Sequence, residues 1–529
     1  MAEKNINAED LAQKMREVSV AEFFEKNRHL LGYENPTKSL LTIIKEAVDN
    51  SLDATNESSI IPDIKVVLKE LEPDRFKIVV EDNGPGIVQE KIPLAFGKLL
   101  YGSKFHRLRQ SRGTQGIGIS GAILYSQLTT GKPVKIKSST GKSVYLTELL
   151  IDVAKNTPKI ISEKEEENSD NWHGIKIEMQ AEGRYMEGKQ SILEFVKQTA
   201  VANPYAKIIF DGPNGKVTFD RAVKELPIQP KEIKPHPHGV ELGILRRMMA
   251  DTQSRNLTGF LTSDFSRVGR TSAGEILKLA KVENKRPRDV THEESERLHK
   301  AVQMMKLMAP PTDCLSPMGE KIIEEGLKKE VEAEFFVAVT RPPSVYRGNP
   351  FQIEVGLAYG GKLPPDSSAQ VFRFANRVPL LYHQSDCATT EAVIDTDWKR
   401  YEFNQPSGQL PQGPLVILIH FASVWVPYTS EGKQAIADYT EIIREIKLAL
   451  QESGRRLSIY VRQKNKRRDV QMRKELFEKY IPELAESLEK LTDEKREKII
   501  SGLEKISKKG VKIDGEETGD KKESERDGK

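Results

Sequence analysis

The chain has 529 residues, enough for roughly three or four domains. Hydrophobic residues make up 37% and charged residues 30%, as in a globular protein with a highly charged surface. The net charge of +4 is too small to indicate a nucleic-acid partner by itself. Two cysteines exclude a disulfide scaffold and a thiolate zinc site, and they favour the cytoplasm. The longest apolar run, residues 415–426, is shorter than the ~20 residues of a membrane span, so it predicts a buried strand and no membrane partner.

The first part of the chain mixes helical and strand-like patterns. Ser19 and Glu22 form a capping box within a predicted helical arm at 1–34. Later patterns predict a hairpin of strands 64–71 and 76–81, followed by a helical, glycine-rich region at 90–131. Further strands are predicted at 134–138, 143–152, 174–179 and 206–210, and a helix at 190–202. The glutamate run 163–167 is predicted to be a surface loop. Because strands and helices do not alternate as βαβ units, an α+β layered sandwich is favoured over a doubly wound sheet.

Prolines divide the rest of the chain. Pro227, Pro230, Pro235 and Pro237 mark a domain boundary, after which residues 239–309 are helical in pattern. Strands are then predicted at 335–340, 351–358, 371–374 and 415–426, followed by a charged helical region at about 431–508. Residues 508–529 have no apolar core and are predicted to be disordered.

Residues 36–55 predict an amphipathic helix, with Asn35 as N-cap and Pro36 in the first helical position. At about 100° per residue, Glu46, Asn50 and Asp53 share one face, opposite the apolar residues. Taken alone, such a face is either solvated or part of a site.

Asp82, Gly84 and Gly86 follow the strand at 76–81 directly. Asn83-Gly84 is also a hairpin signal, so an ordinary turn is the alternative. As a site, a turn without side chains would let a flat base approach the backbone. Asp82 accepts hydrogen bonds but cannot donate, so it would favour the amine of adenine over the carbonyl of guanine.

A third motif contains Gly116, Gly118 and Gly121, which fit G-x-G-x-x-G. A dinucleotide site is excluded because no strand precedes these glycines and no acidic residue follows about 20 positions later. The sequence also lacks a P-loop. A glycine-rich lid running into a helix at 119–128 remains, and free N–H groups at such a helix start suit phosphate, with Lys104 adding positive charge.

The three motifs, in this order, resemble the GHKL ATPases, the superfamily of gyrase, heat-shock chaperones, histidine kinases and MutL-type repair proteins. The resemblance implies ATP and Mg²⁺ as cofactors, with Glu46 as general base, Asn50 as metal ligand and Asp82 as adenine acceptor. Further nucleotide contacts are implied for Gly84, Gly86, Ser103, Lys104, Arg112, Gly113, Thr114, Gln115, Gly116, Ile117, Gly118 and Ile119.

Beyond the site, the chain resembles the B subunits of archaeal DNA topoisomerase VI as far as about residue 475. The resemblance rests on residues 21–24, 34–36, 46–55, 101–104, 122–125 and 425–429. It implies an N-terminal arm and GHKL domain at 1–234, a helix–two-turn–helix domain at 235–311, and a transducer domain of the ribosomal-S5-like fold at 312–475. Residues 476–529 would supply a helix for docking on the A subunit and a disordered tail.

Lys433 lies near a predicted helix start, where a lysine is ordinarily a surface residue. By resemblance it reaches the γ-phosphate from the transducer domain, so that it distinguishes ATP from ADP. Dimerisation of the chain on ATP binding, with exchange of the N-terminal arm, is implied as well.

Candidate DNA contacts are supported less directly. The arginines between positions 246 and 270 either form solvated helix faces or contact phosphates, and these are Arg246, Arg247, Arg255, Arg267 and Arg270. Trp398, Lys399 and Arg400 resemble a DNA-contacting loop, with a buried aromatic as the alternative. The basic run 462–468 could contact DNA or lead into the docking helix.

The predicted function is the ATPase subunit of a type IIB DNA topoisomerase, acting in an A2B2 assembly with an A subunit that cuts duplex DNA. Two rivals remain open. A GHKL chaperone or mismatch-repair clamp would share the three motifs, and a dimerisation scaffold would bind nucleotide without hydrolysing it.

Overall fold

The computed structural model describes residues 15–104, 107–113, 116–430, 432–492 and 494–513. These residues form two compact units. The first reaches Trp398 and also contains Phe403–Ser453, whereas the second contains Lys399–Glu402 and the chain from Gly454 onward. The predicted N-terminal domain (to residue 234), the helical insert (235–311) and the sheet of the transducer domain all lie in the first unit.

The N-terminal domain is built on an eight-stranded sheet. Its strands are β1 (Asp63–Glu72), β2 (Arg75–Asp82), β3 (Val134–Thr140), β4 (Ser143–Asp152), β5 (Thr157–Glu167), β6 (His173–Glu182), β7 (Lys207–Gly212) and β8 (Gly215–Phe219). The spatial order is β5-β4-β3-β6-β2-β1-β7-β8. Only the β1–β7 pair is parallel among these neighbours, so the mixed layout confirms the prediction of an α+β sandwich.

The glutamate run 163–167 is not the predicted loop. It forms the end of β5, where Glu163 pairs with Thr147 and Glu167 pairs with Ser143. As an edge strand, β5 satisfies its backbone on one side while its charged side chains stay in solvent, and charge on an edge also discourages pairing with another chain.

The α-helices that accompany this sheet in the described residues are α1 (Val20–Lys26), α2 (Pro36–Glu57), α3 (Ile92–Gly97), α4 (Gly118–Thr130) and α5 (Ile192–Ala202). Asn35 caps α2 as predicted, because its side chain accepts the Lys38 N–H at 2.9 Å. The apolar face of α2, including Leu40, Ile44 and Val48, is buried in the core between helices and sheet. That packing fixes the rotation of α2 and turns Glu46 and Asn50 toward the opposite side.

The helical insert consists of α6 (Leu242–Asp251), α7 (Leu257–Ser263), α8 (Arg270–Ala280) and α9 (His292–Met304) within the described chain. Leu245, Phe260, Ile276 and Leu298 form the centre of its own core. The predicted helical character of residues 239–309 is confirmed.

The transducer domain begins with α10 (Glu320–Glu330). Its sheet contains β9 (Phe335–Thr340), β10 (Ser344–Tyr346), β11 (Asn349–Tyr359), β12 (Gln370–Ala375), β13 (Val378–Pro379) and β14 (Leu415–Ser423), and a short helix, α11 (Ala388–Ile394), lies between β13 and β14 in the chain. A Cβ on Gly326 would overlap the Val201 carbonyl, so this glycine lets α10 pack closely on α5 of the N-terminal domain.

The last two helices of the described residues are α12 (Thr440–Thr492) and α13 (Arg496–Ile513). The predicted disorder of residues 508–529 is wrong as far as Ile513, because adding residues to an existing helix costs little. The remainder of that prediction lies outside the described residues. None of the helices in the described ranges is long and apolar enough to cross a membrane.

Candidate functional site

A cavity of about 630 Å³ opens between α2, the turn after β2 and the start of α4. Its size is that of an ordinary small-molecule site. Most of the predicted site residues line it, namely Glu46, Asn50, Asp82, Gly86, Ser103, Lys104, Gly113, Gly116, Ile117, Gly118, Ile119 and Lys433. Thr114 and Gln115 lie outside the described residues. Apolar side chains complete one wall, among them Val80, Ile87, Phe96 and Ile177.

Asp82, the last residue of β2, is buried and held by three donors. Its carboxylate accepts the Ser51 hydroxyl at 2.7 Å, the Gly84 N–H at 2.9 Å and the Ile175 N–H at 3.1 Å. Burial raises the pKa of Asp82, and these three hydrogen bonds oppose the shift. A carboxylate offers about four acceptor positions, so one position remains for a donor in the cavity.

The turn after Asp82 depends on two glycines, one in the segment after β2 and one in β6. Gly174 of β6 has φ +128°, and a Cβ there would overlap the Asp82 carbonyl. Gly86 has φ +70° and would similarly overlap the Ser139 carbonyl. Both positions therefore require glycine. Gly84 shapes the turn through its N–H and does not line the cavity, so its role as a nucleotide contact stays a prediction.

Glu46 projects from α2 into the cavity, with 18% of its side chain exposed. Its carboxylate accepts a hydrogen bond from Lys45 Nζ at 3.2 Å. Burial alone would raise the pKa of Glu46, but Lys45 and Lys433 outweigh it and hold the pKa below its ordinary value. The group is therefore an anion at neutral pH, as a general base must be.

Lys433 reaches this cavity from the transducer domain. It has φ +51° and lies in the loop before α12, so the prediction of a helix start is wrong at this position. Its Nζ donates to the Arg112 carbonyl at 3.5 Å. Burial lowers the pKa of Lys433, whereas the Glu46 carboxylate opposes that shift.

Asp53 does not line the cavity beside Glu46 and Asn50. It accepts Lys104 Nζ at 2.6 Å and the Arg112 guanidinium at 2.9 Å. Although burial opposes ionisation, Lys104 and Arg112 lower the pKa of Asp53 to about 2. Asp53 thus anchors the two segments that contain Lys104 and Arg112.

Arg112 is placed differently from its prediction as a nucleotide contact. Its guanidinium is buried behind the cavity wall, where it donates to Asp53, to Asn203 at 2.5 Å and to Tyr205 at 3.3 Å. Only its backbone carbonyl faces Lys433. The guanidinium is therefore a structural anchor, since three partners hold it away from the cavity.

The helix α4 begins at Gly118 without a side-chain cap, and its first residues line the cavity together with Gly116 and Ile117. This arrangement suits an anion. A Cβ on Gly118 would overlap the Glu46 carboxylate, so the glycine lets the helix start and the acid approach each other closely.

Sequence reasoning missed Lys45, Asp49 and Tyr33. Lys45 Nζ lies 4.0 Å from Asp49 Oδ2, an i,i+4 pair that its spacing on the helix could have revealed. Burial raises the pKa of Asp49 to about 7 despite Lys45. Tyr33 lines the cavity and stacks on Tyr125 with ring centroids 4.7 Å apart, and nothing in its local sequence indicates this.

The DNA-contact candidates fall into two groups. The five candidate arginines of the helical insert (Arg246, Arg247, Arg255, Arg267 and Arg270) are exposed, as are Lys399 and Arg400. Trp398, by contrast, is fully buried, and its indole N–H donates to the Val393 carbonyl at 2.9 Å. The indole cannot contact DNA in this arrangement, which corresponds to the buried-aromatic alternative.

The side chains that line the cavity have the chemistry needed to bind a magnesium-bound adenine nucleotide. Asn50 is an exposed amide on an otherwise buried stretch of α2, and an amide oxygen can bind Mg²⁺ without adding charge near phosphate. Asp82 keeps an acceptor position beside an apolar wall that suits a flat base. Lys433 and Lys104 supply positive charge at the end where α4 begins.

Two protein families match this chain. Residues 35–152 match the histidine kinase-, DNA gyrase B- and HSP90-like ATPases, and residues 310–473 match the transducer of the topoisomerase VI B subunit. The B subunit of type 2 DNA topoisomerase 6 from Methanococcoides burtonii is 48% identical over 489 residues, which cover 91% of this chain and 78% of the relative. The chain belongs to the family of topoisomerase VI B subunits.

Other members of the topoisomerase VI B family agree with this assignment. The protein of Archaeoglobus fulgidus is 48% identical over 489 residues (90% of this chain, 80% of the relative), and that of Pyrococcus horikoshii is 41% identical over 567 aligned positions (98% and 99%). The predicted fold class and the prediction of an ATP-dependent type II topoisomerase subunit are confirmed at the level of the family.

Proposed function

We propose that this chain binds and hydrolyses ATP in the cavity at α2, and that nucleotide binding closes two copies around duplex DNA for passage through a break made by a topoisomerase VI A subunit. One observation carries the proposal. Glu46, Asn50, Asp82 and Lys433, which come from three separate parts of the chain, converge on a single cavity of about 630 Å³.

Each residue has a role that its surroundings support. Bound Mg²⁺ would neutralise phosphate charge, with the Asn50 amide as its protein ligand. Asp82 accepts the exocyclic amine of adenine and thereby discriminates against guanine. Glu46, an anion beside Lys45, orients a water molecule and accepts its proton. The N–H groups at the start of α4, with Lys104, hold phosphate oxygens.

Lys433 gives the transducer domain access to the nucleotide. A cation that binds the third phosphate is attracted to ATP more strongly than to ADP, because ADP lacks the group it contacts. The position of the transducer domain would then depend on hydrolysis. The proposal also includes dimerisation of the chain, an A2B2 assembly and a cytoplasmic location. The exposed arginines of the helical insert would contact DNA. The domain limits are proposed to lie near residues 234, 311 and 475.

The test is relaxation of supercoiled plasmid by this chain with a topoisomerase VI A subunit, ATP and Mg²⁺. We expect relaxation only when all components are present. Glu46→Gln should keep ATP binding and dimerisation, while turnover falls by about two to four powers of ten, because only the proton acceptor is lost. Glu90→Gln, at an exposed position, is the matched control. Unchanged turnover in Glu46→Gln would refute the role of the base and favour a nucleotide-dependent scaffold.

A further inference from the structure

The segment that leads into the glycine-rich loop is held by the transducer domain, although it belongs to the N-terminal domain. The Gln110 N–H donates to the Cys314 carbonyl at 3.0 Å. The Gln110 side chain donates to the Ser316 carbonyl at 3.1 Å and accepts the Ser316 N–H at 2.7 Å. We call the two side-chain bonds between Gln110 and Ser316 the Gln110 clamp. Both residues are buried, so water does not compete for these bonds.

The residues around the clamp are themselves fixed in the transducer sheet. Asn376, in the turn between β12 and β13, donates to the Ser111 carbonyl at 2.9 Å. The same Asn376 exchanges two hydrogen bonds of 2.9 Å with the backbone of Ser423 at the end of β14. Arg377 donates to the Ser316 carbonyl at 3.0 Å. The segment at 110–111 is thus bonded to a rigid part of the second domain.

The next residue joins both domains. The Arg112 side chain is held by Asp53 and Asn203 of the N-terminal domain, while its carbonyl accepts from Lys433 of the transducer domain. Farther on, the Gly116 carbonyl accepts the Leu100 N–H at 2.9 Å, within the N-terminal domain. The chain before the glycine-rich loop is therefore bonded to both domains, whereas Gly116 after the loop is bonded within the N-terminal domain.

We propose that Gln110 is a positioning residue that makes the transducer domain move together with the segment before the glycine-rich loop. The clamp couples nucleotide binding to dimerisation alongside Lys433, and it does not contact the nucleotide. This inference rests on the proposed function. Breaking the clamp would leave the Ser316 N–H buried without a partner, an unfavourable state that keeps the two segments together.

The chain contains a matched control for this residue. Gln127 makes the same reciprocal pair with a backbone, donating to the Ile151 carbonyl at 2.9 Å and accepting the Ile151 N–H at 2.7 Å. Both partners of that pair lie in the N-terminal domain. Gln127→Ala therefore removes two equivalent hydrogen bonds without cutting a link between domains.

The experiment compares wild type, Gln110→Ala and Gln127→Ala as full-length chains. Affinity for the β,γ-imido analogue of ATP with Mg²⁺ is measured at a protein concentration at which wild type is monomeric. The dimer dissociation constant is then measured at saturating analogue by sedimentation. We expect all three proteins to bind the analogue within about threefold of one another, and Gln110→Ala alone to show a dimer dissociation constant raised by about tenfold.

Equal dimer dissociation constants for the two variants would overturn the inference, since the clamp would then be no more than a local stabilising contact. A loss of analogue affinity in Gln110→Ala equal to its loss of dimerisation would also overturn it. Failure of wild type to bind the analogue or dimerise would instead refute the proposed function, and the coupling with it. If Gln110→Ala does not fold, Gln110→Glu with Gln127→Glu gives the same comparison, because glutamate keeps the acceptor and loses the donor.

Discussion

The Asp53→Asn variant tests how much the ion pairs of Asp53 with Lys104 and Arg112 stabilise the folded chain. In the folded chain, Lys104 and Arg112 lower the pKa of Asp53 from its ordinary 3.8 to about 2. At about 1.4 kcal/mol per pKa unit, this shift corresponds to about 2 kcal/mol of stability at neutral pH. Only 7% of the Asp53 side chain is exposed, so solvent screens the interaction little. The buried Arg112 would also lose its anion, which sets an upper limit of about 5 kcal/mol.

The pH dependence has a definite sign. A carboxylate whose pKa is lowered by folding stabilises the folded state at pH values above its pKa in the unfolded chain. This contribution disappears as the pH falls through the folded-state pKa of about 2. The difference between wild type and Asp53→Asn should therefore shrink by roughly half near pH 3.

Urea denaturation followed by circular dichroism at pH 7 and pH 3 measures both effects. Asp74→Asn is the control, because Asp74 pairs with Arg184 at 3.4 Å in an exposed ion pair, and exposed pairs contribute less than about 1 kcal/mol. The reasoning is refuted if Asp53→Asn costs no more than Asp74→Asn, or if its cost is the same at both pH values.

Three further predictions concern the cavity and DNA. Gly118→Ala should reduce ATP turnover by tenfold or more in a steady-state assay, since the added Cβ would displace the Glu46 carboxylate. The control Gly274→Ala, at a position in open space on α8, should leave turnover unchanged. Lys433→Met should still bind ATP but lose ATP-dependent crosslinking of dimers, and normal crosslinking would rule out its role as a sensor. Arg246→Glu should flatten the dependence of duplex binding on salt concentration, and an unaltered slope would indicate that this exposed arginine does not contact phosphate.

The core of the site could be predicted because its signals are local. The turn of a helix places Glu46 and Asn50 on one face, and a glycine-rich turn directly after a strand identifies Asp82. Lys433 could be assigned only by resemblance, since it meets Arg112 across 321 positions of sequence and its own surroundings resemble an ordinary surface loop.

The errors arise where packing contacts, which the local pattern does not specify, decide where a side chain points. Arg112 lies within the glycine-rich motif, yet Asn203 and Tyr205 hold its guanidinium outside the cavity. Trp398 stands beside two cations, yet its indole is buried against the Val393 carbonyl. The partners of Arg112 lie 91 and 93 positions away, and the clamp joins Gln110 to Ser316 over 206 positions, so neither contact follows from local pattern. Val393 lies only five positions from Trp398, and there the sequence left both the buried and the DNA-contacting arrangement open.

The central claim is that an adenine nucleotide occupies the cavity between α2 and the start of α4. A crystal structure of this chain grown with the β,γ-imido analogue of ATP and Mg²⁺ tests it most directly. We predict the adenine amine within hydrogen-bond distance of Asp82, the metal at the Asn50 amide and the third phosphate at Lys433. A cavity without the analogue, or a base bound away from Asp82, would contradict the account.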